Sequence, residues 1–290
     1  MKDIIKKLRK FQIQIRKLIH NKMHGDFHSI FKGSGLEFED VRSYQYGDDV
    51  RAIDWNVTAK GHGTYIKTFR EEKEQNILFI VDVSASQEIG QAKGQKIDLA
   101  KEICGVLSLS ATKENSNVGL ICYSNQKEIY IKPEKGHTHV YNIIFKLFKL
   151  KPKSWQTNLD RCLKYALGLL KKKSLIILIS DFIDLNYERN LVACARKHDL
   201  VVIHIAEPRE ITFPKLGIIP VYDKESRKTF WVNSSSEEFR KNLTDNFHRN
   251  KEKLETICKK NSANYVWIKT NEEYLDKLVQ LFRVRNFSRT

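Results

Sequence analysis

Ile77-Leu78-Phe79-Ile80-Val81-Asp82-Val83-Ser84-Ala85-Ser86 joins an unbroken apolar run to an Asp-x-Ser-x-Ser sequence. A run of this length is what a strand buried on both faces requires. Comparable runs recur at residues 118–123, 175–179, 200–205 and 265–268, with helical patterns between them at 97–112, 158–170, 187–197 and 236–261. Strand and helix alternating in this way predict an α/β fold, a mostly parallel sheet with helices on both faces. Ser124-Asn125-Gln126-Lys127 reads as a turn joining 118–123 to 128–131, an antiparallel edge pair. A β-hairpin near 217–233 is expected from the apolar stretches 218–222 and 229–232 around a polar turn.

The chain has 290 residues, 41% hydrophobic and 30% charged, which excludes disorder and supplies a sizeable core. Its apolar runs fall far short of the ~18 residues that span a bilayer, and no apolar segment with a cleavage site follows the basic start, so neither a membrane span nor a secretory signal is expected. Five cysteines, Cys104, Cys122, Cys162, Cys194 and Cys258, contain no Cys-x-x-Cys pair and read as the reduced thiols of a cytoplasmic protein. Two parts are expected: 1–75, an N-terminal helix and a signature segment packing on the remainder, and 76–290, the α/β domain. The helix rests on Ile4, Leu8, Phe11, Ile15 and Leu18, one apolar stripe among basic residues, ended by Gly25-Asp26. Of the net charge of +16, segments 1–24 and 146–173 carry +7 and +8. Such focused charge attracts nucleic acid, anionic lipid or an acidic protein face. Neither cluster interleaves with the aromatic platforms of a single-strand binder, so nucleic acid is disfavoured and peripheral membrane contact stays open.

In open α/β sheets ligands bind beyond the carboxyl ends of the strands. Asp82, Ser84 and Ser86 follow the first core strand, Asp181 follows the run 175–179, and Thr157 opens the Thr157-Asn158-Leu159-Asp160 helix start. Two carboxylates and three hydroxyls are hard, partly neutral ligands suited to Mg²⁺ or Mn²⁺, with a position left for an outside carboxylate. The other reading of the same residues is local: the aspartates cap helices and the serines satisfy a turn.

The set Asp82, Ser84, Ser86, Thr157 and Asp181 resembles the metal-ion-dependent adhesion site of von Willebrand factor A domains, which implies a Rossmann-type sheet of that class. Trp155-Gln156 stands where Gly-Gly often precedes the Thr, and Phe182 where Gly often follows the last Asp. Upstream, Phe31-Lys32-Gly33-Ser34-Gly35-Leu36-Glu37-Phe38, Val41-Arg42-Ser43-Tyr44, Gly47-Asp48-Asp49-Val50-Arg51 and Ile53-Asp54-Trp55-Asn56 stand in order. Together they resemble the signature of the bacterial family called domain of unknown function 58. That resemblance implies a cytoplasmic adaptor or chaperone-like partner of a MoxR-type AAA+ ATPase, not an enzyme. Within the signature, Asp48 and Asp49 are expected to pair with Arg42 or Arg51, and Trp55 to anchor in a core. The segment serves either as a clasp on the sheet or as part of the partner surface.

Other signals are weaker. His20, His24 and His28 share a spacing of four, but Gly25-Asp26 breaks the helix that would align them. The glycines before Lys96 lack Walker spacing and the hydroxyl residue after the lysine. The leading expectation is a metal-dependent protein-interaction module; nucleic-acid or anionic-membrane binding through the basic clusters is the alternative.

Overall fold

The structure is a computed structural model that describes residues 36–61, 63–71, 75–89, 95–224 and 227–287. The apolar stripe from Ile4 to Leu18, the histidines at 20, 24 and 28, the signature residues before Leu36 and the glycines at 90 and 94 lie outside these residues.

Ten strands are described: β1 (Leu36–Ser43), β2 (Tyr65–Glu71), β3 (Asn76–Asp82), β4 (Asn117–Tyr123), β5 (Lys127–Glu134), β6 (Leu175–Ser180), β7 (Asp199–Ala206), β8 (Ile218–Asp223), β9 (Lys228–Asn233) and β10 (Asn264–Lys269). The helices are α1 (Trp55–Thr58), α2 (Lys96–Lys113), α3 (His137–Lys149), α4 (Leu159–Leu169), α5 (Glu188–Lys197), α6 (Pro208–Ile211), α7 (Glu237–Lys260) and α8 (Tyr274–Phe287). The central sheet has the order β10-β7-β6-β3-β4-β5. Every neighbouring pair is parallel except β4–β5, the expected antiparallel edge. Counted from β3, this is the doubly wound order 3-2-1-4-5-6, and the fold is von Willebrand A-like.

Side chains alternate across a strand, and β3 divides its residues accordingly. Ile77, Phe79 and Val81 enter a core with α2, α3 and α8, through residues such as Ile103, Ile143 and Leu278. Leu78 and Ile80 enter the opposite core with α4, α5 and α7, through Leu163, Leu191 and Leu254. The chain therefore leaves β3 toward one face and β6 toward the other. The crevice between two such strands, at their carboxyl ends, is the topological switch point where doubly wound sheets bind ligands.

Two hairpins stand outside this sheet. β8 pairs with β9 as expected, and its apolar side chains Ile218, Tyr222, Phe230 and Trp231 are exposed. Lys224 ties it back by an ion pair to Glu88 at 2.6 Å, on the loop after β3. The second hairpin, β1–β2, begins within the signature segment, where no strands were expected. Asp48 accepts both guanidinium nitrogens of Arg42, at 2.8 and 2.7 Å, and Asp49 pairs with Arg51 at 3.1 Å, as anticipated. Trp55 is not a core anchor: it is 69% exposed, the first residue of the short helix α1 that the Asp54 side chain caps.

Candidate functional site

β3 ends in Asp82, whose carboxylate is gripped by its own loop and by its neighbour strand. Oδ1 accepts from the Ser84 N–H at 2.9 Å, and Oδ2 from Ser180 Oγ of β6 at 2.8 Å and Gln87 Nε2 at 3.4 Å. Ser84 Oγ and Ser86 Oγ lie 3.1 Å apart, and the Ser86 hydroxyl also bonds the Asp181 carboxylate. Asp181 Oδ1 accepts from the Ile183 N–H at 3.2 Å. Each carboxylate thus closes a turn with the N–H two residues on, and each is also bound across the crevice.

A third loop joins them. The Ala85 N–H donates to Trp155 O at 2.9 Å, and Leu159 N–H to Asp184 Oδ2 at 2.6 Å, fastening the stretch around Thr157 to the loops after β3 and β6. Gln156, in one of the expected glycine places, is held by Asn125 at 2.9 Å. Asp82, Tyr123, Ser124 and Thr157 line a cavity of about 10 Å³, room for about one water-sized sphere. Asp82, Ser84, Ser86 and Asp181 therefore form one hydrogen-bonded group, whereas Thr157 is placed by the small cavity that it shares with Asp82, not by the bonds that link these four.

The two aspartates differ in charge environment. Burial, with the nearby Asp181 charge, pushes the Asp82 carboxyl up to about 6. Burial acts on Asp181 too, but the Lys96 ammonium 2.6 Å from its Oδ2 outweighs it and holds the group below the usual carboxylate range. Lys96 also bonds Glu210 Oε1. Burial would discharge such a lysine, yet the two carboxylates keep its pKa above the ordinary value. For Glu210 burial prevails and its pKa rises. His204, buried beside them, is pushed down to about 4 and is neutral; its ring bonds Tyr265 Oη at 2.9 Å and the Asp181 backbone, seating the end of β6.

Phe182 sits at φ 55°, in the left-handed region. This explains why glycine is common after the last aspartate in the resembled sites: a side chain there costs ~1–2 kcal/mol. The chain keeps the backbone conformation and uses the ring, whose centroid is 5.8 Å from that of Tyr187 and 5.5 Å from that of His204.

Lys96, Ser180, Gln87 and Glu210 were not among the expected site residues. Lys96 carries a signal in hindsight: a lysine opening a helix opposes the positive end of the macrodipole and needs a partner. Glu210 carries another, the Glu207-Pro208-Arg209-Glu210 capping box.

Among the described residues no group of three or more His, Cys, Asp or Glu is placed to hold a metal ion. A cation here would rest largely on hydroxyl oxygens. The donors are hard and few, which fits Mg²⁺ or Mn²⁺ retaining waters, with Asp82, Ser84, Ser86 and Thr157 as its holders and Asp181 shared with Lys96.

Among the described residues no helix is long and apolar enough to cross a membrane. Similar solved structures include the conserved hypothetical protein BatB of Bacteroides thetaiotaomicron, 13% identical, covering 75% of this chain and 99% of that one with a TM-score of 0.49. Another is an aerotolerance-related membrane protein of Bacteroides fragilis, 14% identical, covering 74% of this chain and 98% of that one with a TM-score of 0.49. The uncharacterized proteins Rv1480 of Mycobacterium tuberculosis and Mb1516 of Mycobacterium bovis are each 25% identical over 222 residues, 76% of this chain and 70% of theirs. The model of the family described as "Protein of unknown function DUF58" matches residues 40–253, well over half of the chain, and the chain belongs to that family.

Proposed function

We propose that this chain is a non-enzymatic, cytoplasmic protein-interaction module that docks an acidic side chain of its partner at a divalent cation on the carboxyl edge of the sheet. One observation carries the reading: Asp82, Ser84, Ser86 and Asp181 converge in a single hydrogen-bonded group at the switch point between β3 and β6. When bound, Mg²⁺ or Mn²⁺ supplies positive charge and an open coordination position for the partner's carboxylate. Asp82 contributes the negative charge, Ser84, Ser86 and Thr157 neutral oxygens, and Ser180 and Gln87 keep the Asp82 carboxylate oriented. The partner proposed is a MoxR-type AAA+ ATPase, which the family resemblance implies. That all five cysteines are free and buried supports the cytoplasmic reading.

The test is capture of the ATPase from native cytosol by the immobilised chain in Mg²⁺ or in EDTA. Binding in Mg²⁺, loss in EDTA and loss in Asp82→Ala, with the variant melting like wild type in EDTA, support the reading; equal capture in all three overturns it. The rival, electrostatic binding of nucleic acid or anionic lipid, draws on the exposed lysines Lys146, Lys149, Lys151, Lys153, Lys164, Lys171, Lys172 and Lys173. Counterion release would make that binding fall steeply with salt, whereas one coordinated carboxylate gives a shallow dependence.

A further inference from the structure

Lys96 is the first residue of α2, and its side chain is fully buried. Its ammonium bonds Asp181 Oδ2 at 2.6 Å and Glu210 Oε1. Nothing about helix formation asks for a cation there: the first turn of a helix repels it, and burial of an ammonium is costly unless it is paired. Both partners are delivered with care. Glu210 is fixed by α6, its other oxygen accepting from the Glu207 N–H at 3.0 Å. Asp181 is fixed by Ile183 N–H and by the His204 ring on its backbone. One ammonium therefore ties together the helix after β3, the end of β6 and the end of β7.

The other aspartate is treated differently. Asp82 receives hydrogen bonds from Ser84 N–H, Ser180 Oγ and Gln87 Nε2, all neutral groups. The crevice thus has two halves: one holds its own cation, and in the other the described hydrogen-bond partners of the carboxylate are uncharged.

We infer that Lys96 is a tethered counter-cation that sets the divalent-cation affinity of the site, supplying at Asp181 the charge compensation that an added ion would otherwise provide and confining that ion to the Asp82–Ser84–Ser86 half. This rests on the cation-site reading above and extends it. With Asp181 and Glu210 already sharing a positive charge, the site draws a divalent ion weakly, and the carboxylate of an arriving partner completes the attraction.

The experiment is calorimetric titration of the full chain with MnCl₂ alone, with circular dichroism to confirm folding, for the wild type, Lys96→Met and Glu210→Gln. Removing a unit charge this close to a divalent site changes affinity by about tenfold or more even at a high effective dielectric. Lys96→Met is expected to bind Mn²⁺ at least about tenfold more tightly than wild type, and Glu210→Gln, which leaves the whole ammonium to Asp181, several-fold more weakly. A folded Lys96→Met with unchanged or weaker affinity overturns the inference while wild-type binding sustains the cation site. Binding in Lys96→Met with none in wild type does the reverse: Lys96 keeps its role and the native chain loses its cation site. No binding in either overturns both. Where Lys96→Met does not fold without metal, Glu210→Gln decides, and unchanged or tighter binding there overturns the inference.

Discussion

At Phe182 two effects of similar size oppose each other. The left-handed backbone costs ~1–2 kcal/mol, while the buried ring packs on Tyr187 and His204. Phe182→Gly relieves the first and forfeits the second, and removing a buried Phe costs ~3–5 kcal/mol. The expected net loss is about 2 kcal/mol in denaturant unfolding; a variant as stable as wild type would show that the ring does no more than offset the backbone cost, and a more stable one that it contributes nothing. His198 invites the opposite change. It is buried at the start of the loop into β7, and neither ring nitrogen has a hydrogen-bond partner. Burial lowers its pKa, so it is neutral when folded and takes up its proton on unfolding. Its contribution is therefore present above the ordinary histidine value of ~6.5 and lost as pH falls below it. His198→Leu should gain about 1 kcal/mol near neutrality by removing unpaired polar atoms, and its advantage should widen between pH 7 and 5.5. A constant gap in melting temperature across that range contradicts the assignment. At this scale the aspartates and serines of the site were legible because strand-end position and spacing point to them directly. Lys96 was not, because its partners lie 85 and 114 residues away along the chain and no local pattern announces them.

The strands of the central sheet were legible for the same reason that they are buried: both faces demand apolar side chains, so the runs are unbroken. α3 was not read, although Val140, Ile143, Ile144 and Leu147 follow helical spacing and are all buried. Exposed lysines crowd its C-terminal end, so charge dominates the local pattern over the apolar spacing. β1 and β2 escaped because neither is an apolar run: Glu37, Asp40 and Arg42, and Lys67 and Arg70, interrupt them, and they form a two-stranded sheet apart from the central one. The β4–β5 edge offers an element-scale test. A Cβ at Gly119 would lie 2.8 Å from the ring of Pro133, at the register shift between Val118 and Leu120. Proline has no N–H to offer the ladder, so it is tolerated on an edge strand, and the glycine lets that ring approach. Gly119→Ala should lose ~1–3 kcal/mol by overpacking, with the parallel part of the sheet keeping its hydrogen-exchange protection. Equal stability would mean that β5 shifts freely.

For the molecule as a whole, a cation bound only by the folded chain stabilises it by mass action, about 2.7 kcal/mol at a hundredfold excess over its dissociation constant. MgCl₂ at that excess should raise the melting temperature by about 5–10 °C for a domain of this size, and EDTA should reverse it; Asp82→Ala should show neither effect. The strand order has another consequence, for the chain as it leaves the ribosome. β3 is made first among the six central strands and ends in the middle, so its edge toward β6 stays open until residue 180 has been synthesised. Lys96 waits longer still, since its second carboxylate is Glu210. A nascent chain stopped before that residue carries an ammonium with no complete place to be buried. Such chains should stay bound to chaperones or be cut rapidly in pulse proteolysis, and resistance should appear only once α6 has emerged. The site at the carboxyl ends of β3 and β6 is thus finished only once α6 has been made, and a partner of the proposed kind would meet only chains whose synthesis has passed that point.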